Sequence, residues 1–398
     1  RKVLKSSSPD TPRQKAPALL PVFSLLMFVV GYEMGGFQLA LRGISDSFSL
    51  SASGAGLLAA AQYVSIIFMP LLFGALSDRA GKKRIIVSFA LVFLLGCALT
   101  AASRGVVSFA FGVFFIGAGF SVCESAGSAA LSDASPESGD RWINLSQGAL
   151  SLGAVLSPVL TQFGMERFGW SWRSVFLLCG AGALALVLPL ALAKYQKAPQ
   201  PANQASRRLS FSFFASGIFL LLFCAILLYV GLENGIGYFT ESLFALQLGS
   251  ARFGAYALSA YWASMALSRI IFGVLPLSPQ KTLPLCLGIS SLLFLALALS
   301  GSAAFSLAAC ALIGFAFGPV WPMLMNRAAR AFPQSSGGAI GLMSAGCGIG
   351  GALFPFLMGL VSDHLRLSAA FGMLAVFAFA TMLLSYFAVK KTARAKQF

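Results

Sequence analysis

The chain alternates long apolar runs with short polar breaks. A helix needs about 20 apolar residues to cross a hydrocarbon core, and runs of that length recur through the whole sequence. Barrel strands would alternate in shorter segments instead. The runs predict twelve helical spans. The first six cover about 16–41, 52–76, the stretch ending near 102, 106–131, 142–163 and the stretch ending near 193. The second six cover about 210–240, 252–275, 282–300, 303–326, 335–360 and 367–389.

One polar stretch is long. Lys194 to Leu209, with Pro199 and Pro201, divides the chain nearly in half. The expected organisation is a tail (1–15), a six-helix bundle (16–193), a cytoplasmic linker (194–209), a second six-helix bundle (210–389) and a tail (390–398). Two echoes link each span n to span n+6. Gly31-Tyr-Glu33-Met-Gly35 returns as Gly231-Leu-Glu233-Asn234-Gly235, and Ser151 to Pro158 returns as Gly348 to Pro355. The expected fold class is an all-α membrane protein of twelve transmembrane helices in two pseudo-symmetric six-helix bundles.

Composition agrees with this pattern. The chain is 58% hydrophobic and 10% charged, with mean hydropathy +0.84, against about 25% charged residues in a soluble domain. The net charge of +16 could suggest nucleic acid. Most Lys and Arg, however, fall in the N-terminal tail, the even-numbered loops and the C-terminal tail. That is the positive-inside asymmetry. It predicts cytoplasmic termini in a plasma membrane (the inner membrane in a bacterium), with lipid and a small solute as partners and no nucleic acid. A monomer is expected. Because the first residue is Arg1, a preceding segment is expected, and no signal peptide is read before the first span.

All seven Cys lie in apolar runs without metal-ligand spacing, and the one histidine, His364, lies near a span end. The thiols read as small hydrophobes. No catalytic residue, metal site or cofactor is predicted, and an enzyme is not expected.

The loop Gly74-x-x-x-Asp78-Arg79-x-Gly81-Lys82-Lys83-Arg84 between spans two and three resembles the signature loop of major facilitator superfamily transporters. The resemblance implies the major facilitator fold. It also implies a gating role for Gly74, Asp78, Arg79, Gly81 and Arg84, whose glycines permit a tight turn and whose charges latch one conformation. Further segments are similar to the fucose–proton symporter group: Ile143 to Gln147, Tyr261 to Arg269, and Gly314 to Pro322. That group pairs an acid in helix one with a Glu in helix four, the pattern of Glu33 and Glu124. Here the helix-one acid is Glu rather than Asp, and Glu233 is additional.

Candidate chemistry follows from polar groups at membrane depth. A carboxyl in hydrocarbon costs several kcal/mol and is by default a functional site. Glu33 and Glu124 are the predicted proton-coupling residues, with sodium as the alternative ion. They are expected at different depths of one cavity, Glu124 as the main proton site. Asn144, Gln147 and Ser151 recur at i, i+3 and i+7 and give span five a polar stripe. On span seven, Tyr229 and Glu233 share one face and Asn234 and Tyr238 the adjacent one, although the glycines there suggest a broken helix. Gln38, Asn144, Gln147, Tyr229, Glu233, Asn234, Tyr238, Trp262, Trp321 and Asn326 are the predicted solute-binding residues. Amides and ring faces with few fixed charges suit a neutral polyhydroxyl solute. Arg269, near the inner end of span eight, is the remaining gating candidate.

The expected function is secondary active transport by alternating access, as proton-coupled symport of a neutral sugar or similar small polar solute. A proton-driven exporter of drugs or metabolites is the alternative, and Ser151 to Pro158 partly matches a motif of such exporters.

Overall fold

In lipid, every backbone N–H and C=O must find a partner within the protein, so spanning segments fold as helices. The computed structural model describes residues 18–134, 139–194, 211–274, 278–332 and 336–394. The helices are α1 (Leu20–Phe48), α2 (Ala52–Ala80), α3 (Lys82–Ala102), α4 (Val106–Ala134), α5 (Gly139–Phe168), α6 (Arg173–Leu192), α7 (Gly217–Ser242), α8 (Ala251–Val274), α9 (Pro279–Leu299), α10 (Ala303–Phe317), α11 (Val320–Ala331), α12 (Ser336–His364) and α13 (Leu367–Arg394). Helices α10 and α11 make one interrupted span, Ala303–Ala331, so the twelve predicted spans are present. Among the described residues, eleven segments are long and apolar enough to cross a membrane. Most of the linker and both tails lie outside the described residues.

The two sequence echoes become one packing motif used twice. A side chain at Gly153 of α5 would strike the Phe28 carbonyl of α1, and one at Gly350 of α12 would strike the Leu227 carbonyl of α7. Likewise Gly31 abuts Leu150, and Gly231 abuts Phe354. Small residues let helix backbones approach closely where no hydrophobic force drives helices together. This packing corrects one expectation. Helix α7 runs unbroken through Glu233 and closes in a π turn at Leu243–Gln247. Its glycines make room for Phe354, Met358 and Leu374 rather than a kink.

The break falls instead in span ten, at Gly318-Pro319. Pro319 has no N–H, so the Phe315 carbonyl loses its helical donor, and the Ser268 hydroxyl supplies one at 2.5 Å. Gly318 itself packs against Ser268 and Met265.

The two bundles meet along α2–α12, α5–α8 and α1–α7. Odd-numbered spans run from the face where α1 begins and α13 ends, here the terminal face, toward the opposite, distal face. Among the described residues, bonds between the bundles run from mid-span to the distal face. There, Arg42 on α1 donates from Nε to both Glu241 oxygens on α7 at 2.9 Å. Arg252 on α8 meets Glu166 on α5 at 3.0 and 2.8 Å. Asp363 on α12 accepts from the backbone N–H groups of Ala52 and Ser53 at 2.8 and 2.9 Å, capping the start of α2. Gly56 and Gly359 bring α2 and α12 into backbone contact beside that cap.

At the terminal face, Gly81 adopts φ +94°, a left-handed conformation that favours glycine, and this turns α2 into α3. Lys82 pairs with Asp133 at the end of α4, while Arg84 is exposed. Gly74, Asp78 and Arg79 fall on the last turns of α2, and their side chains lie outside the described residues.

Candidate functional site

Three polar clusters occupy mid-span. The first joins α1, α2 and α7. Glu33 is fully buried, and at 1.5 Å per residue it lies about 20 Å from the start of α1. Its Oε2 accepts from the Gln62 amide at 3.0 Å, while Oε1 is buried without a partner. The Gln62 carbonyl oxygen in turn accepts from the Tyr238 hydroxyl at 3.3 Å. Next to it, Tyr63 donates to Asn234, and Asn234 donates back to its own helix at Val230, 2.9 Å away. Gln38, one turn beyond Glu33, accepts from the indole of Trp262 at 2.9 Å, and Gly237 of α7 lies against its amide.

The second cluster joins α4 and α5. Glu124 is about 15 Å from the terminal end of α4 and accepts from the Gln147 amide at 2.9 Å. Glu33 and Glu124 therefore take separate amide partners at separate depths. The expected stripe on α5 narrows to Gln147. Asn144 is exposed, and the Ser151 hydroxyl turns back to the Gln147 carbonyl at 3.0 Å.

The third cluster joins α7, α8 and the α10–α11 break. Glu233 and Arg269 stand 3.9 Å apart. Tyr229 donates to the Phe317 carbonyl at 3.1 Å, the last carbonyl before the break. Beyond the break, Trp321 is 40% exposed, and Asn326 accepts from Arg330 at 2.9 Å. Because α7 is unbroken, its register holds. Tyr229 and Glu233 look toward α8 and the α10–α11 break, and Asn234 and Tyr238 look toward α2.

The structure thus gathers Glu33, Gln38, Asn234, Tyr238 and Trp262 at the contact between the bundles, and Glu124 with Gln147 within the first bundle. It places Glu233, Arg269 and Tyr229 in the second. Asn144, Trp321 and Asn326 are exposed and join none of these bonds to the acids. Gln62 and Tyr63 were missed by sequence reasoning, although they are the paired polar residues in an otherwise Gly- and Ala-rich span. The distal Arg42–Glu241, Arg252–Glu166 and Asp363 contacts were missed too, because each joins positions too far apart in sequence for any spacing to reveal.

Comparison with known proteins places this architecture. A chloramphenicol resistance protein, CraA of Acinetobacter baumannii, is 29% identical over 160 residues, spanning 40% of this chain and 38% of that one. The chain thus matches less than half the length of this curated relative. A bacterial homologue of the human lysosomal transporter Spinster, solved inward-facing and unoccupied, superposes with TM-score 0.80 at 15% identity, covering 96% of this chain and 99% of that one. The E. coli fucose:proton symporter FucP superposes with TM-score 0.66 at 20% identity, covering 93% and 98%, and 0.65 in the outward conformation. At such identities these likenesses carry the fold alone. The sequence profile of the Major Facilitator Superfamily matches residues 23–337 and again 243–397. With its twelve spans in two bundles closed at one face and its polar groups at mid-span, the chain belongs to the Major Facilitator Superfamily of secondary transporters.

Proposed function

We propose that this transporter is a proton-coupled symporter of a neutral sugar or similar small polar solute, with both termini in the cytoplasm. On that orientation the closed distal face is the outer one and the structure is inward-facing. The observation that carries the reading is the choice of partner for two mid-span acids. Glu33 is held by Gln62 and Glu124 by Gln147, both neutral amides. A carboxyl bound to an amide can gain and lose a proton without stranding a buried cation, whereas breaking a buried ion pair leaves an uncompensated charge. Alternating access around a mid-span site supplies the two exposures that proton and solute need.

Uptake into proteoliposomes under an imposed inward pH gradient tests this. Glu124→Gln should abolish proton-driven accumulation while sparing solute exchange, and Glu33→Gln should uncouple proton from solute. Accumulation that stays fully proton-coupled in both variants overturns the assignment. A panel of neutral sugars that releases no proton from the purified protein overturns the solute class.

A second reading, a proton-driven exporter, is favoured by the kinship with a chloramphenicol resistance protein. Gly153 and Pro158 of α5 also belong to the segment expected of such exporters. The direction of solute movement in the same vesicles separates the two.

A further inference from the structure

The third mid-span cluster has no part in the proton-carrying pairs, yet it holds the most unmade polar bonds. Arg269 approaches Glu233 only to 3.9 Å, outside the 2.7–3.2 Å range of N–H···O bonds. Its Nε is buried and without an acceptor. The Tyr261 hydroxyl is also buried without a partner, on a side chain 1% exposed, and its ring lies against Phe317, whose carbonyl takes the Tyr229 bond. Buried donors left unmade are costly and rare in native proteins. The same residue types can saturate each other in this very chain, as Arg42 does with both oxygens of Glu241 at 2.9 Å. The loose pair is therefore not the best that Arg and Glu can do.

We propose that Glu233, Arg269 and Tyr261 form a solute subsite that takes two neighbouring hydroxyls of a polyol. This rests on the reading of the solute as a neutral polyhydroxyl compound. The guanidinium donates to one hydroxyl oxygen, the carboxylate accepts from the next, and the phenol closes the ring of bonds as donor or acceptor. The pair carries no net charge, so an anionic solute would meet Glu233 and a cationic one Arg269. A neutral solute meets neither penalty. Aromatic faces suited to sugar C–H groups stand alongside. The Tyr261 ring lies 5.6 Å from Trp262 and 6.5 Å from Phe317, and the Tyr229 ring lies 5.1 Å from Phe317. The α10–α11 break adjoins the site, since Gly318 packs on Ser268 next to Arg269. Movement at the break would tighten or release the solute.

The test is a binding measurement on the purified full-length transporter, pairing variants with solute analogues. Neutral hexoses and their single-deoxy analogues are titrated into the wild-type protein, Glu233→Gln, Arg269→Lys and Tyr261→Phe. For the wild-type protein, removing one of two adjacent hydroxyls should weaken binding at least tenfold. In Tyr261→Phe, which deletes only an unbonded oxygen and should leave the fold intact, the parent sugar should weaken severalfold and the penalty for that deoxy analogue should shrink. A merely structural role would lower affinity for all sugars alike. Equal deoxy penalties in wild type and in all three variants overturn the subsite while leaving the sugar reading in place. If no neutral hexose binds the wild-type protein, both the sugar reading and the subsite fail.

Discussion

Glu241, Glu166 and Asp363 at the distal face are held in the opposite way to Glu33, Glu124 and Glu233 at mid-span. Each distal acid has both oxygens engaged across the bundle interface, by the Arg42 guanidinium, the Arg252 guanidinium or the first N–H groups of α2. The mid-span acids keep capacity in reserve. One Glu33 oxygen is buried and unbonded, Glu124 rests on one amide bond, and Glu233 stands off its arginine. A saturated carboxylate has nothing left to offer a proton or a solute, but it holds two bundles together well. An unsaturated one in a low-dielectric site is costly to maintain and is kept where something arrives to complete it. Position along the membrane normal thus separates acids that fasten the bundles from acids with bonding capacity to spare.

The comparison can be broken in order of expected effect. The largest effect is expected from Glu124→Gln and Glu33→Gln together, which should reduce proton-driven accumulation to background. Their thermal melting should stay close to wild type, because each Gln can still accept from its neighbouring amide. A large fall in melting temperature would instead assign the pair to fastening. Next comes Glu241→Ala. It leaves Arg42, which is partly exposed, with Asp46 at 3.5 Å as its remaining acid, and after discounting for that exposure should weaken the closed distal face by about 1–2 kcal/mol. A cysteine introduced at Ala251, which lines a cavity of about 150 Å³ beside Arg42 and Glu241, should then label with maleimide about tenfold faster. Unchanged labelling would sink the latch.

Asp363→Asn should have a smaller effect. The amide keeps one acceptor for an α2 N–H but loses the charge that favours a helix N-terminus, so labelling should rise about two- to fourfold. The smallest effect is expected from Arg252→Gln, because this pair is exposed and salt screens it. Any change in labelling should be seen at low ionic strength and vanish at high. A change that persists in high salt would place the pair among the strong fasteners.

The periodic glycines suggest a lesson of a different kind. In sequence, Gly31 and Gly35 frame one acid and Gly231 and Gly235 another, and the pair on span seven suggests a broken helix. In the structure they are the places where helices touch: Gly35 abuts Ala154 and Gly235 abuts Met358 and Leu374. A glycine signals that something comes close, and only the neighbour tells whether that is a bend or a packed helix. The true interruption, at Gly318-Pro319, was visible as a dipeptide but was not singled out, because proline within a span need not break it. Pro158 and Pro355 sit inside continuous helices.

What the sequence determined by itself was the part governed by the bilayer and by duplication. The length and spacing of apolar runs determined twelve spans, because lipid forces each run to satisfy its own backbone. The repeated glycine frames determined two related bundles, and the signature loop identified the family. The identity of the mid-span acids was also legible, since a charge in hydrocarbon is conspicuous. Their partners were not. That Glu33 meets Gln62, that Glu124 meets Gln147 within its own bundle rather than Glu33, and that Arg42 saturates Glu241 while Arg269 only approaches Glu233, was decided by how helices distant in the chain pack. Hydrogen bonds are fixed to within a few tenths of an ångström by helix rotation and crossing, and residue spacing within one helix carries no record of either.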